Sequence, residues 1–526
     1  MAATEVVLLV GGTDDTHVLG LAKSALLQLM PTGLVCRARA CGDDHGSYEL
    51  ETAEQSAIII AFARAGASFP ATVAKSSGAP VVLVPCAAPE DNIAAGAIGS
   101  VLAVGTALAP MARVSVNGVE EAVALVQRIV AFASAAGASS ASASGSDATA
   151  AGRSIVQAVA QADLDLAMGT IDVVEAAQRR TRAYLPLIDA ERQRMGAGCG
   201  AEAIPTDALP GAERYVGKVR DVYVLEKEKK CVLVATGRQS AFDRHLASIP
   251  FKGQVLNQIS MWWFQQTSDI MPNHVVCSPN PNVVIGTKCE IFSVEFVVRG
   301  YITGSTDTSM WTHYKAGERH YCGHNLPEGL VKNQKLWVDA LVTPTTKDKV
   351  HDAPISGEAL VAEGRMTQAQ WELCEAKAKE LFVFGSQTAR KAGLILVDTK
   401  YEFGTDENGN VVLCDEIHTP DSSRYWIAST YEARIAAGQE PENIDKEFLR
   451  LWFKGQCDPY KDETLPEAPA ELVNELARRY VLLYELITGS KFKFDYSSLL
   501  SDTTGVETPD EKIIRDVKKA YGAGMI

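Results

Sequence analysis

Asp398, Lys400 and Glu402 alternate in the segment 393–404 (GLILVDTKYEFG), and Asp415 and Glu416 end the apolar run 411–416 (VVLCDE). In an extended strand, period two puts the first three on one face, so acid, base and acid fall within about 14 Å. A type I′ turn centred on Asn408 and Gly409 would set Glu402 directly across from Asp415. Opposed carboxylates cost a sheet roughly 0.2–1 kcal/mol, a cost that a cation between them removes. Oxygen ligands of this kind suit Mg²⁺. The alternative is a solvated edge hairpin whose charges keep the strand soluble. Against it, the apolar run 394–397 predicts a buried strand, and 418–424 (HTPDSSR) follows as a polar loop rich in partners for phosphate and carboxylate.

Elements that hold such side chains are legible on either side. From about residue 212 the chain turns to β-branched, alternating runs (219–225, 231–235, 292–298), which predict antiparallel or mixed sheets. Helical periodicity returns in 366–393 and 468–487, and the polar tail from 501 predicts one short helix at its end. The earlier third differs: short apolar runs (6–10, 58–61, 81–84) alternate with Ala-rich helical stretches such as 119–132, the pattern of a parallel α/β sheet. Between the two, 134–152 (SAAGASSASASGSDATAAG, small residues apart from Asp147) reads as a flexible linker. Residues 154–195 read as helices interrupted at Pro186, leading to a second boundary near 196–210.

Composition bounds the function. With 526 residues the chain has room for several domains. Its 50 Lys and Arg against 65 Asp and Glu give a net charge of −15, which argues against nucleic-acid and membrane-surface partners. The 11 cysteines are scattered without a Cys-x-x-Cys pair, as expected in a reducing compartment. No stretch reads as a signal peptide, and Glu5, Asp14 and Asp15 come too early for a transit peptide, so a cytoplasmic location is expected, with an organelle as the alternative. His320, Cys322 and His324 cluster in sequence, yet no second ligand pair at zinc-finger spacing accompanies them. Trp262, Trp263 and Phe264 read as core.

The segments 393–404 and 413–426 (LCDEIHTPDSSRYW) resemble the signature of the SAICAR synthetases, or phosphoribosylaminoimidazole-succinocarboxamide synthases. The resemblance extends over roughly 212–495 through 215–223 (YVGKVRDVY), 237–243 (GRQSAFD), 253–260 (GQVLNQIS), 297–305 (VVRGYITGS), 322–330 (CGHNLPEGL) and 343–347 (TPTTK). It implies an α+β domain with an ATP-grasp-like nucleotide site that joins carboxyaminoimidazole ribonucleotide to L-aspartate with cleavage of ATP. It assigns catalytic roles to Lys218, Asp398 and Lys400, and ATP contacts to Lys218, Arg220 and Lys400. Glu402 and Asp415 become Mg²⁺ ligands. Arg299, Ser305, Asp421 and Arg424 become substrate-binding residues. Two positions depart from the family pattern: Gly237 stands where the family has Asp in D-R-x-S-A-F-D, and Ser293 replaces the Pro of Pro-x-Glu. Lys347 is open between a nucleotide or aspartate contact and a solvated loop. An inositol-polyphosphate-type kinase, which also uses an Asp-x-Lys strand, and a non-catalytic scaffold are the competing readings.

More faintly, 8–19 (LLVGGTDDTHVL), 58–74 and 80–85 resemble aminoimidazole ribonucleotide carboxylase and its mutase relative. That implies a flavodoxin-like three-layer αβα domain over about 1–133, a connector over 134–211, the synthetase over 212–495 and a tail over 496–526. Asp14 enters the phosphate loop, 40–44 (ACGDD) lacks the family's histidine, and Ser68 replaces another. His45 is either a displaced catalytic group or a surface histidine. A domain that kept its fold, lost its chemistry and assembles homo-oligomers is the expectation.

Overall fold

The computed structural model describes the backbone of 5–11, 35–41, 58–64, 81–86 and 112–113. With side chains it describes scattered helical residues between 155 and 166, then 171–195, 204–242, 244–306, 308–347, 352–494 and 508–526. By contact the chain divides into two compact units, Met1–Tyr184 with Phe494–Val506, and Leu185–Lys493 with Glu507–Ile526.

In the first unit five parallel strands stand in the order Val35–Cys41, Glu5–Gly11, Ile58–Arg64, Val81–Cys86 and Ala112–Arg113. Three of them, Glu5–Gly11, Ile58–Arg64 and Val81–Cys86, contain the apolar runs expected of a parallel sheet. The helix Val173–Ala183 starts at Asp172, whose carboxylate accepts the Glu175 N–H at 2.8 Å. Positions 12–15 and 42–45, Ser68 and the linker 134–152 lie outside the described residues.

Among the described residues the second unit carries two two-stranded sheets, Arg238–Ala241 with Arg244–Ser248 and His320–Tyr321 with His324–Asn325, and two large ones. One is a five-stranded antiparallel meander in the order Val275–Asn280, Val283–Thr287, Lys230–Ala235, Arg220–Leu225 and Glu213–Val216. The helix Pro509–Gly522 packs Ile513, Val517 and Ala520 onto Tyr223, Leu225, Val232 and Ile285 of this sheet. A capping box between Thr508 and Glu511 starts that helix. The polar tail is therefore an amphipathic helix that completes a core. At the front of this unit, the helix Leu185–Met195 buries Leu187 and Ile188.

The second sheet is built on the long strand Leu394–Thr405. Val294–Arg299 pairs antiparallel along one edge, while Ser423–Ile427 and then Val411–Cys414 pair along the other. The 24-residue helix Gln368–Lys391 covers a face, with Phe382 buried and Trp371 stacked on Phe296. Gly385 is required there: a Cβ would lie 2.4 Å from the His418 ring. Trp263 and Phe264 of the helix Lys252–Gln266 are core residues, as the sequence suggested, whereas Trp262, expected with them, is only partly buried.

Candidate active site

The carboxylate hairpin forms with a register one residue from the expected one. Glu402 pairs with Cys414, not Asp415, and Thr405 pairs with Val411. The cause lies in the turn. Asp406 accepts the N–H groups of Asn408 and Asn410 at 2.9 and 2.8 Å, and Gly409 takes the left-handed conformation (φ 80°), so the loop spans five residues rather than two. Asp415 then leaves the ladder with φ 64°, a conformation that Asp tolerates better than most residues. The two acids do not face each other across the sheet. Glu402 accepts Lys347 Nζ at 2.5 Å, and Asp415 accepts Arg220 Nη1 at 2.7 Å.

Asp398 sits in a row of three charges across three strands, paired in register with Arg299 on one side and Arg424 on the other. Its Oδ2 accepts Arg299 Nη1 at 3.2 Å and Arg424 Nη1 at 2.7 Å, and all three side chains are largely buried. Thr343 Oγ1 takes Arg299 Nε at 2.8 Å. Glu447 lies beyond, 3.5 Å from Arg424 and 3.3 Å from Arg450, and it accepts the Ser305 hydroxyl. Burial opposes the charge of Glu447, but the guanidiniums of Arg424 and Arg450 outweigh it and hold its pKa down at about 2. Lys446 stands beside Arg450. Burial lowers its pKa to about 8, with Asp421 and Glu416 favouring the charge, and Arg450 and Lys400 opposing it.

Acids gather at the other end. Lys400 Nζ lies 2.6 Å from Glu295 and 3.6 Å from Glu402. Burial works against its charge, yet these carboxylates raise its pKa above the ordinary lysine value. Arg220 bridges Asp415 and Glu416, the latter at 2.6 Å, and remains protonated for the same reason. Lys218 is exposed at the tip of the hairpin between Glu213–Val216 and Arg220–Leu225, which Gly217 N–H closes onto the Arg220 carbonyl at 2.8 Å.

The segment 418–424 is a buried, internally bonded loop rather than a solvated one. Thr419 Oγ1 donates to Glu416 at 2.6 Å, and Thr399 and Ser423 hydroxyls meet at 2.7 Å. Asp421 is buried against Lys252 Nζ at 2.8 Å and Tyr480 Oη at 2.6 Å. Burial opposes its ionisation, but the ammonium groups of Lys252 and Lys446 outweigh it and keep it below the usual carboxylate range. His418 is a core residue: Tyr401 Oη meets its Nε2 at 2.5 Å, and burial depresses its pKa to about 3. His320 and His324 turn to Asn325 and to the Val342 carbonyl, so the short His/Cys run is a tight hairpin.

The strand Leu394–Thr405 thus deals its alternating charges to two clusters. Among the described residues, Arg299, Arg424 and Arg450 gather around the buried acids Asp398, Asp445 and Glu447, with Lys446 beside them and within the field of Asp421. At the other end Glu295, Glu402, Asp415 and Glu416 face Lys347, Lys400 and Arg220. One end concentrates three guanidiniums, forked donors that match an anion, and the other sets four carboxylates against three cations. Lys252, Glu295, Glu416, Lys446, Glu447 and Arg450 were missed by the sequence reading. For the 445–450 stretch (DKEFLR) the available signal was the density of charge at the start of the helix Glu447–Gln456, which patterning alone assigns to solvent. At Gly237, a Cβ would lie 2.7 Å from Met195 Cε and 3.2 Å from the Ile249 carbonyl, so Met195 fills the space the family's acid would need.

A family model described as SAICAR synthetase matches residues 213–466. The phosphoribosylaminoimidazole-succinocarboxamide synthase of Legionella pneumophila (strain Lens) is 59% identical over 288 residues, 55% of this chain and 91% of that protein. The Arabidopsis thaliana protein of the same name, described as chloroplastic, is 60% identical over 294 residues, 56% of this chain and 71% of that protein. A solved structure, SAICAR synthase from Saccharomyces cerevisiae complexed with SAICAR, matches at 29% identity with a TM-score of 0.47, covering 56% of this chain and 100% of that one.

Proposed function

The chain belongs to the SAICAR synthetase family, and from that premise we propose how its residues divide the work. It is an ATP-dependent ligase that forms a C–N bond, joining L-aspartate to carboxyaminoimidazole ribonucleotide in purine biosynthesis. A carboxylate is a poor acyl donor. Transfer of the γ-phosphoryl group of ATP onto it gives an acyl phosphate, the aspartate amine attacks that carbonyl, and phosphate leaves. Such chemistry is mostly positioning and charge neutralisation.

The observation that carries the assignment is the polarity along Leu394–Thr405. The arginine-rich end, Arg299, Arg424 and Arg450 with Lys446 and the Ser305 hydroxyl, takes the ribonucleotide phosphate, for which forked guanidiniums are the matching donors. Asp421, already ionised and held by Lys252, faces the aminoimidazole. Lys218 and Arg220 on the first hairpin, with Lys400, neutralise ATP oxygens. The donor set fits Mg²⁺, since Glu402 and Asp415 supply hard carboxylate oxygens and this ion needs only one or two when substrate phosphates complete its shell. No group of three or more His, Cys, Asp or Glu able to hold an ion by itself occurs among the described residues, which suits an ion that arrives with its nucleotide. Bound there, Mg²⁺ would neutralise charge on the phosphates being transferred. The test is Arg299→Ala: ribonucleotide affinity should fall by on the order of tenfold or more, with ATP and aspartate little changed. Equal loss of all three would refute the assignment.

We further infer that the first unit is a carboxylase-like, flavodoxin-like domain that has lost its chemistry and assembles homo-oligomers. Its parallel strands, taken in chain order, stand as 2-1-3-4-5, the doubly wound order. Full-length protein and a chain beginning at Leu185 should both make product but differ in mass by light scattering. Identical oligomeric states would refute the assembly role. A cytoplasmic location remains the proposal; no helix among the described residues is long and apolar enough to cross a membrane, and the plant relatives are named chloroplastic. Fractionation of the native protein decides between them.

A further inference from the structure

The carbonyls of the two residues that flank Lys218, Gly217 and Val219, are held by one short segment, 236–238. Thr236 donates to the Val219 carbonyl twice, from N at 3.1 Å and from Oγ1 at 2.7 Å. Arg238 Nη2 donates to the Gly217 carbonyl at 3.0 Å. The same Nη2 lies 2.5 Å from Asp221 Oδ1, and Asp221 Oδ2 accepts Arg214 Nη2 at 2.6 Å. Asp221 is fully buried although it is the immediate neighbour of Arg220. Period two separates the pair: Arg220 turns to Asp415 and Glu416, and Asp221 to the opposite face.

A carboxylate buried between two guanidiniums is weak as a stabilising device, because well-packed apolar replacements of such groups are often neutral or better. Its use here lies in what it orients. We propose that Arg238, fixed by Asp221, is a positioning residue that holds the Lys218 loop in the geometry that receives ATP. The same segment reaches the ribonucleotide end, because the Arg238 carbonyl accepts Lys252 Nζ at 2.9 Å and that ammonium pairs with Asp421. One rigid strand start therefore sets the spacing between the two substrates. The inference rests on the assignment of Lys218 to ATP.

A double-mutant cycle on the full chain separates the two claims. Arg238→Met should raise the KM for ATP by about tenfold, the value of a lost charge-assisted hydrogen bond, with a much smaller change in the KM for aspartate. Asp221→Asn, which keeps the shape and removes the charge, should reproduce that selectivity, and Arg238→Lys should recover only part of the loss because an ammonium lacks the fork. On a Lys218→Ala background, Arg238→Met should add little, because the arginine acts through the lysine loop. Additive effects in the double variant, or equal rises in all three KM values, overturn the positioning role while leaving Lys218 at the nucleotide. If Lys218→Ala leaves the KM for ATP unchanged, the assignment of Lys218 fails first and the inference fails with it.

Discussion

Asp398→Asn perturbs the centre of the site with little change of shape. The carboxylate is 5% exposed and neutralises Arg299 at 3.2 Å and Arg424 at 2.7 Å, which are themselves 5% and 13% exposed. Removing one partner from a buried ion pair costs about 3–5 kcal/mol, because the remaining charge loses its compensation. Here Thr343 still holds Arg299 and Glu447 still faces Arg424, so the lower end, about 3 kcal/mol, is expected. For a unit of this size each kcal/mol shifts Tm by about 2 °C, giving a fall of roughly 6 °C in thermal unfolding. The freed guanidiniums also become a stronger anion site. Millimolar phosphate should therefore raise the Tm of the variant more than that of wild type, while turnover falls at least a hundredfold because both arginines lose their common anchor. An unchanged Tm with no added response to phosphate would refute the shared-carboxylate account.

Three further outcomes follow from the same geometry. Glu402→Gln and Asp415→Asn should each abolish turnover and weaken Mg²⁺-nucleotide binding; wild-type Mg²⁺ dependence in a binding titration of either variant would contradict the metal assignment. Lys252→Met should destabilise the fold by about 3–5 kcal/mol in denaturant unfolding, since it strands the buried Asp421 carboxylate, and an unaltered midpoint would show that Asp421 is not held by Lys252. Lys446, with its pKa lowered to about 8, should lose its charge as pH rises from 7 to 9, so ribonucleotide affinity should fall over that range and the fall should flatten in Lys446→Arg. The linked stability change has the opposite sign: between about pH 8 and the ordinary lysine value the unfolded chain binds the proton that the folded one has released, so this group's contribution rises with pH. An equally steep loss of affinity in the arginine variant would remove Lys446 from the site.

The sequence made the elements legible where periodicity was strong. The buried strand before Asp398, the helices Gln368–Lys391 and Ala470–Thr488, and three of the five parallel strands of the first unit follow from spacing of apolar residues. Register was less accessible. Asn408-Gly409 is a strong signal for a two-residue turn, but the Asp406 side chain outcompetes it by capping two N–H groups, and one residue of slip moves Asp415 out of the ladder. With that slip the two acids are no longer opposed, and each is matched to its own cation. Lys252 and Asp421 lie far apart in sequence, and no local pattern announces a fully buried lysine; only the fold pairs them. The helix Pro509–Gly522 is amphipathic, yet its polar face hid its role in the core.

The most direct measurement is product formation by the full-length chain with ATP, L-aspartate, carboxyaminoimidazole ribonucleotide and Mg²⁺, each omitted in turn. Chromatography should find the succinocarboxamide ribonucleotide and ADP in equal amounts, with neither accumulating when aspartate or the ribonucleotide is left out. ADP released without an aspartate-dependent product, or phosphate appearing instead on an inositol polyphosphate, would contradict the account.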